Sequence, residues 1–174
     1  MMPEATGDVE LGPGEEPRHE RWRLTAGSLL LAAIVLLADQ GTKAWAEATL
    51  TEEERIPLVG DVLGLQLAYN PGAAFSVGEG ATWVFALLAV AATVAAIVFA
   101  FRVRQPGWAI VTGALGGAAA SHAGDRLFRQ PGFARGHVVD FLAYGDWFIG
   151  NLADVVIVTA AIAGAVLMIR SDGN

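Results

Sequence analysis

The sequence predicts an all-α membrane protein with a small β-element: four transmembrane helices plus a short extracytoplasmic β-sheet. Three observations lead there. Hydrophobic residues make up 54% of the 174-residue chain, and its mean hydropathy is +0.48. Charged residues are only 17%, against about 25% in soluble domains. The apolar residues gather into four segments, and Trp22, Trp45, Trp83, Trp108 and Trp147 fall near segment ends, as interfacial anchors do.

The first segment runs Leu24–Ala38 and continues through Asp39, Lys43 and Trp45. The second, Ala81–Phe101, carries no charge, and the fourth is Trp147–Ile169. A spanning helix needs about 20 mostly apolar residues. The second and fourth segments meet this directly. The first meets it with its polar end in the interface. The third, Trp108–Gly124, is short and rich in Gly and Ala, which suits close packing against neighbours.

Four spans put both termini on one side. Arg18, Arg21, Arg23, Arg102, Arg104 and Arg170 fall there, and Lys43, Arg55, Arg126, Arg129 and Arg135 on the other. The loop 102–107 has two arginines and no acid, and Arg21 and Arg23 abut the first span. Basic loops stay inside, so both termini are expected in the cytoplasm. Residues 1–21 read as a disordered acidic tail, with Glu4, Asp8, Glu10, Glu15, Glu16 and Glu20 among Pro and Gly. Residues 22–170 form the transmembrane domain. The chain opens acidic and shows no A-x-A site after its first apolar run, unlike a cleavable signal peptide. It has no cysteine, which excludes disulfides and thiolate chemistry. It has no basic patch, which argues against nucleic acid.

Two extracytoplasmic segments remain, about 47–80 and 125–146. Val62–Tyr69, between Gly60 and Pro71-Gly72, reads as a strand and turn. His137–Leu142 reads as a short strand, with alternation placing Asp140 on the face of Val138 and Leu142. The two segments are expected to pair as a small sheet lying on the membrane.

Several polar groups stand out. Asp39 and Lys43 are spaced i, i+4, as a helical ion pair. Asn70-Pro71-Gly72 is ordinary turn chemistry, or a place where the Asn70 amide holds a substrate backbone. Asp125 and Arg126 read as a structural pair at a helix end, with Arg126 also able to position a carboxylate or a lipid headgroup. His122 and His137 form no ligand set with metal spacing. Asp140 and Asp154 sit in apolar surroundings, Asp154 one helical turn past Asn151. Ionisable groups at membrane depth are read as functional by default. Two neighbouring carboxylates do not both ionise easily. One stays protonated, the other charged, and the pair titrates as a unit. Such a pair suits aspartic-protease chemistry on water, or ion or proton transport. The residues alone leave both open.

The motifs together resemble the type II signal peptidases, the lipoprotein signal peptidases of bacteria, from about Leu24 to Ile169. Asp39-Gln40-Gly41-Thr42-Lys43 matches the family's D-x-x-[ST]-K. Tyr69-Asn70-Pro71-Gly72-Ala73-Ala74-Phe75-Ser76 matches N-x-G-A-A-F-S, Gly136–Phe141 matches G-x-V-x-D-F, and Asn151-Leu152-Ala153-Asp154 matches N-x-A-D. Each alone is weak; four in order are highly specific. The resemblance implies that Asp140 and Asp154 are a catalytic dyad. It implies that Asn70, Gly72, Arg126, Asn151 and His122 hold substrate or orient the dyad, with Asp39, Lys43 and Asp125 in structural support. It implies cleavage of diacylglyceryl-modified prolipoproteins just before the lipidated Cys, without metal or cofactor, and sensitivity to globomycin. It also implies a monomer in the bacterial inner membrane, among its lipids, with the site near the outer face. The alternative class is a prolipoprotein-binding pseudoenzyme or a carboxylate-based proton or ion carrier.

One stretch departs from the family. Its G-N-x-x-D-R reads Ser121-His122-Ala123-Gly124-Asp125-Arg126 here. Imidazole is bulkier than an amide and can take a charge. The departure predicts reduced, not necessarily absent, turnover, checked by restoring Asn at 122.

Overall fold

The computed structural model describes residues 18–72 and 81–172. Residues 1–17 of the expected acidic tail and Ala73–Ser76 of the second motif lie outside the described residues. Among the described residues, four helices and four strands follow in chain order: α1 (Arg18–Thr49), β1 (Ile56–Val59), β2 (Leu63–Asn70), α2 (Thr82–Ala100), α3 (Pro106–Phe128), β3 (Val138–Tyr144), β4 (Phe148–Gly150) and α4 (Leu152–Asp172).

α1 is longer than its apolar segment and begins at Arg18, inside the expected tail. No proline interrupts it, and its polar residues Asp39 and Lys43 are fully buried against the rest of the chain. Among the described residues, three helices are long and apolar enough to cross a membrane: Arg21–Thr49, Thr82–Ala100 and Leu152–Ser171. α3 is different. It packs against α1, α2 and α4, so it has little need of apolar side chains facing outward. Its small residues do the packing. A side chain at Gly113 would stand 2.5 Å from the Ser28 carbonyl oxygen of α1. One at Gly117, a turn later, would meet the carbonyl of Ala32. The G-x-x-x-G spacing thus brings the two backbones together.

The strands form one antiparallel sheet in the order β1-β2-β3-β4. The two outer segments do pair: Ala68 faces Asp140 and Asn70 faces Val138. The sheet sits where the α1 and α3 C-termini meet the α2 and α4 N-termini. Ala46 and Leu50 of α1 pack with Leu67, Val139 and Phe141 as a buried cluster, and Trp45 meets Phe141 edge-on at 6.3 Å. Thr82 Oγ1 donates to the Pro71 carbonyl, tying the start of α2 to the end of β2.

The fourth apolar segment departs from its expected form. The helix does not start at Trp147. Trp147 lies in a turn, Phe148–Gly150 form edge strand β4, and α4 begins at Leu152. Gly145 turns the chain with φ +52°, and Tyr144 stacks on Phe148 at 4.7 Å. Apolar content alone could not separate a strand residue from a helix residue here.

Candidate active site

The strand register sets the first part of the site. Asn70 lies diagonally from Asp140 across the β2–β3 pair, within reach of a side-chain contact. Its Nδ2 donates to Asp140 Oδ2 at 3.2 Å. Asn70 Oδ1 accepts the Gly72 N–H at 2.9 Å, so the turn reading of Asn70 holds as well. Val138 and Asp140 open on one cavity, as alternation predicts. Leu142 instead packs beside the Val139–Phe141 cluster, next to the irregularity between Leu65 and Ala68 in the partner strand.

The start of α4 sets the second part. Asn151 is fully buried and precedes the helix. Its Oδ1 accepts the Asp154 N–H at 3.0 Å, and Asp154 Oδ2 accepts the Asn151 N–H at 3.0 Å. This is a reciprocal capping box. It explains the N-x-A-D spacing locally: the aspartate stands at the third helical position because it closes the cap. Asp154 is therefore at the mouth of a helix rather than deep within one. Asn151 Nδ2 donates to Asp140 Oδ1 at 2.7 Å, so one asparagine touches both carboxylates.

α3 sets the third part. Arg126 donates from Nη1 to the carbonyls of Asn70, at 2.9 Å, and Gly136, at 3.2 Å, and from Nη2 to that of Gly72. It clamps two loops by their backbones. His122, one turn earlier, brings Nε2 to 3.3 Å from Asp154 Oδ1. Asp125 and Arg126 are not each other's partners, contrary to the helix-end pair that adjacency predicts. Neighbouring helical residues point apart. Asp125 turns to α1, with its Oδ2 2.6 Å from Lys43 Nζ, while its Oδ1 accepts from Arg129 at 2.6 Å.

Asp39 and Lys43 form the expected i, i+4 pair at 2.6 Å. Both are fully buried, and Lys43 bridges Asp39 to Asp125. Asp39 also accepts the Ala153 N–H of α4 at 2.8 Å and the Ser121 hydroxyl at 2.5 Å. This network joins α1, α3 and α4. Among the described residues no three His, Asp or Glu side chains gather as a metal-binding group.

Asp140 and Asp154 line one cavity of about 230 Å³, together with Asn70, Gly72, His122 and Arg126. Asp140 is buried, 3% exposed. Burial first, and the nearby Asp154 charge, push its carboxyl up to about 6 against the opposing pull of the Asn151 and Asn70 amides and the Lys43 charge. Asp154 keeps 43% of its side chain exposed. Of the two carboxyls on this cavity, Asp140 is buried and held by amides and Asp154 is the more exposed.

Some residues of the site carried no sequence signal. Phe85 of α2 lines the cavity, with the Arg126 guanidinium 5.7 Å from its ring centre; one aromatic among apolar residues looks like any other. Gln40 donates to Ser121 Oγ at 2.8 Å and Asp125 Oδ1 at 2.9 Å. Arg129 ties Asp125 to Glu47. Gly136, by contrast, is the glycine of the G-x-V-x-D-F stretch, and space requires it: a side chain there would meet the carbonyl of Asp125.

A family model described as "Signal peptidase (SPase) II" matches residues 31–170. The chain belongs to the signal peptidase II family. Proteins named lipoprotein signal peptidase resemble it along most of its length. That of Leifsonia xyli subsp. xyli is 39% identical over 176 aligned residues, covering 98% of this chain and 82% of the relative. That of Mycobacterium avium is 40% identical over 169, covering 97% and 90%. That of Rhodococcus jostii is 39% identical over 155, covering 89% and 77%. The fold is shared with a solved structure described as a bacterial membrane enzyme, at a TM-score of 0.73 and 22% identity, covering 83% of this chain and 88% of that one. As a family member the chain is a membrane protein and a protease of the lipoprotein-processing kind.

Proposed function

We propose that this chain is an aspartyl endopeptidase that cuts the signal peptide from diacylglyceryl-modified prolipoproteins, just before the lipidated Cys. One observation carries the mechanism: Asp140 and Asp154 line one cavity in opposite settings. Asp140 is buried and shifted toward its neutral form. Asp154 stands in the first turn of α4, where backbone dipoles favour an anion. The dyad then shares one proton. Asp154 takes a proton from water as the water oxygen attacks the scissile carbonyl carbon. Neutral Asp140 hydrogen-bonds the carbonyl oxygen, then protonates the amine as the C–N bond breaks. The proton left on Asp154 restores the shared proton for the next cycle. Asn70 and Asn151 hold Asp140, and Arg126 and Gly72 shape the backbone that receives the peptide. Asp39, Lys43 and Asp125 support the helices beneath. No metal or cofactor takes part.

In this reading α3 is a fourth span: its 23 residues extend about 34 Å at 1.5 Å each, close to a bilayer core. Residues 22–170 are the peptidase domain, and the acidic tail is a dispensable extension. The chain is a monomer of the bacterial inner membrane with both termini cytoplasmic. The segments near 47–80 and 125–146, and with them the site, lie at the outer face. A lipid-bearing peptide reaches that face laterally from the bilayer. Globomycin inhibits it.

Detergent-purified protein with a lipidated prolipoprotein tests this. Asp140→Asn and Asp154→Asn are each expected to lower turnover by about 10²–10⁴, the range of general acid–base catalysis. Parental processing by both variants sinks the protease reading. Binding of substrate without cleavage by the parent would mark a pseudoenzyme, and Asp154-dependent flux in liposomes a carrier.

A further inference from the structure

His122 is where the chain departs from the family motif, and the fold gives that imidazole a partner. Its Nε2 lies 3.3 Å from Asp154 Oδ1, with 19% of its side chain exposed. It opens on the same cavity as both carboxylates. Ser121, the second departure, is fully buried. Its hydroxyl donates to Asp39 Oδ2, while Asp39 Oδ1 accepts the Ala153 N–H. Two consecutive departures therefore reach the same turn of α4. Ser121 holds Ala153 through Asp39, and His122 holds Asp154 directly. Sequence alone reads the imidazole as an obstruction; the geometry gives it a task.

We propose that His122 is a positioning residue for Asp154, its imidazole fixing Oδ1 of that carboxylate at the cavity they share. The inference rests on the aspartyl reading above. The imidazole offers an N–H to Oδ1, and a hydrogen bond to an ionised acceptor is about twice as strong as one between neutral groups. The titratable groups around the pair come from several elements. They are Asp154 itself from α4, Asp140 and Tyr144 from β3, Asp39 and Lys43 from α1, and Asp125 and Arg126 on α3. α2 carries none.

The experiment measures kcat and KM of the full chain in lipid–detergent micelles from about pH 5 to 9, with a diacylglyceryl-modified prolipoprotein. The variants are His122→Leu, His122→Asn and Asp154→Asn, with thermal unfolding as the control for folding. His122→Leu, which keeps bulk but no donor, is expected to lower kcat about tenfold or more. KM should stay within about threefold, because the lost interaction acts on the reacting groups. His122→Asn keeps a donor that does not titrate. It should recover most of the loss. Parental kcat in His122→Leu would overturn the inference. So would a His122→Asn kcat no higher than that of His122→Leu, or turnover by His122→Asn well above the parent, which would mean that imidazole hinders. Should His122→Leu not fold, His122→Ala takes its place in the same comparison. Asp154→Asn separates the two layers. If it cuts at the parental rate, the aspartyl reading fails; if it is inactive while His122→Leu is parental, this inference alone fails.

Discussion

A carboxyl that is 3% exposed and shifted from 3.8 to about 6 affects both stability and rate. The folded state prefers Asp140 neutral, so the associated stability is fully present below about pH 4. It is lost as pH rises through about 6. The shift of roughly two units corresponds to about 3 kcal/mol. Midpoints of thermal unfolding in micelles should therefore fall between about pH 4 and 6.5, and Asp140→Asn should flatten that slope. Activity should follow the same group. The proposed mechanism needs Asp140 protonated, so kcat/KM should decline above about pH 6. A rate that keeps rising to pH 8 would contradict the assignment of the proton to Asp140.

At the level of elements, the strand β3 and the first turn of α4 meet through Asn151. It caps the helix and donates to Asp140. Asn151→Ala removes both contacts. Loss of a cap costs about 0.5–2 kcal/mol, visible as a lower unfolding midpoint. The amide also lowers the Asp140 pKa, so its removal should move the alkaline limit of the pH–rate profile to higher pH. An unmoved limit in a folded variant would separate Asn151 from the dyad. The helix ends were less legible in the sequence than the cap. N-x-A-D is a local pattern, and a four-residue pattern carries its own geometry. The start of α4 was misplaced because Phe148–Gly150 are as apolar as the helix that follows. Their strand state comes from the tight hairpin that pairs Tyr144 with Phe148 and Leu142 with Gly150, which apolar content does not reveal.

Over the whole molecule, the chain is held at its sheet end by charge and in its helices by small residues. Lys43 is fully buried between Asp39 and Asp125. Lys43→Met would leave two carboxylates facing each other in a dry interior. Removing one partner of a buried ion pair costs about 3–5 kcal/mol, so little folded protein should survive extraction. Recovery of a parental unfolding midpoint would contradict the structural role of Lys43. The sequence offered Asp39 to Lys43 because four residues separate them. Asp125, 82 residues away, was mistaken for a partner of Arg126 because adjacency in sequence is not adjacency on a helix. Membrane class, strand positions and site aspartates were legible because composition, alternation and motif are local. The cavity was not, because Phe85, His122 and Asp140 come together only through packing of α2 and α3 against the sheet.

The same cluster has a consequence for descent. Asp39, Lys43 and Asp125 are fully buried, while Arg129 also pairs Glu47 at the exposed edge. A lineage that changes one of the three buried groups carries a buried, unmatched charge through the intermediate generation. Drift at these positions is therefore confined to compensating exchanges, and related chains should either keep all three or differ at two together.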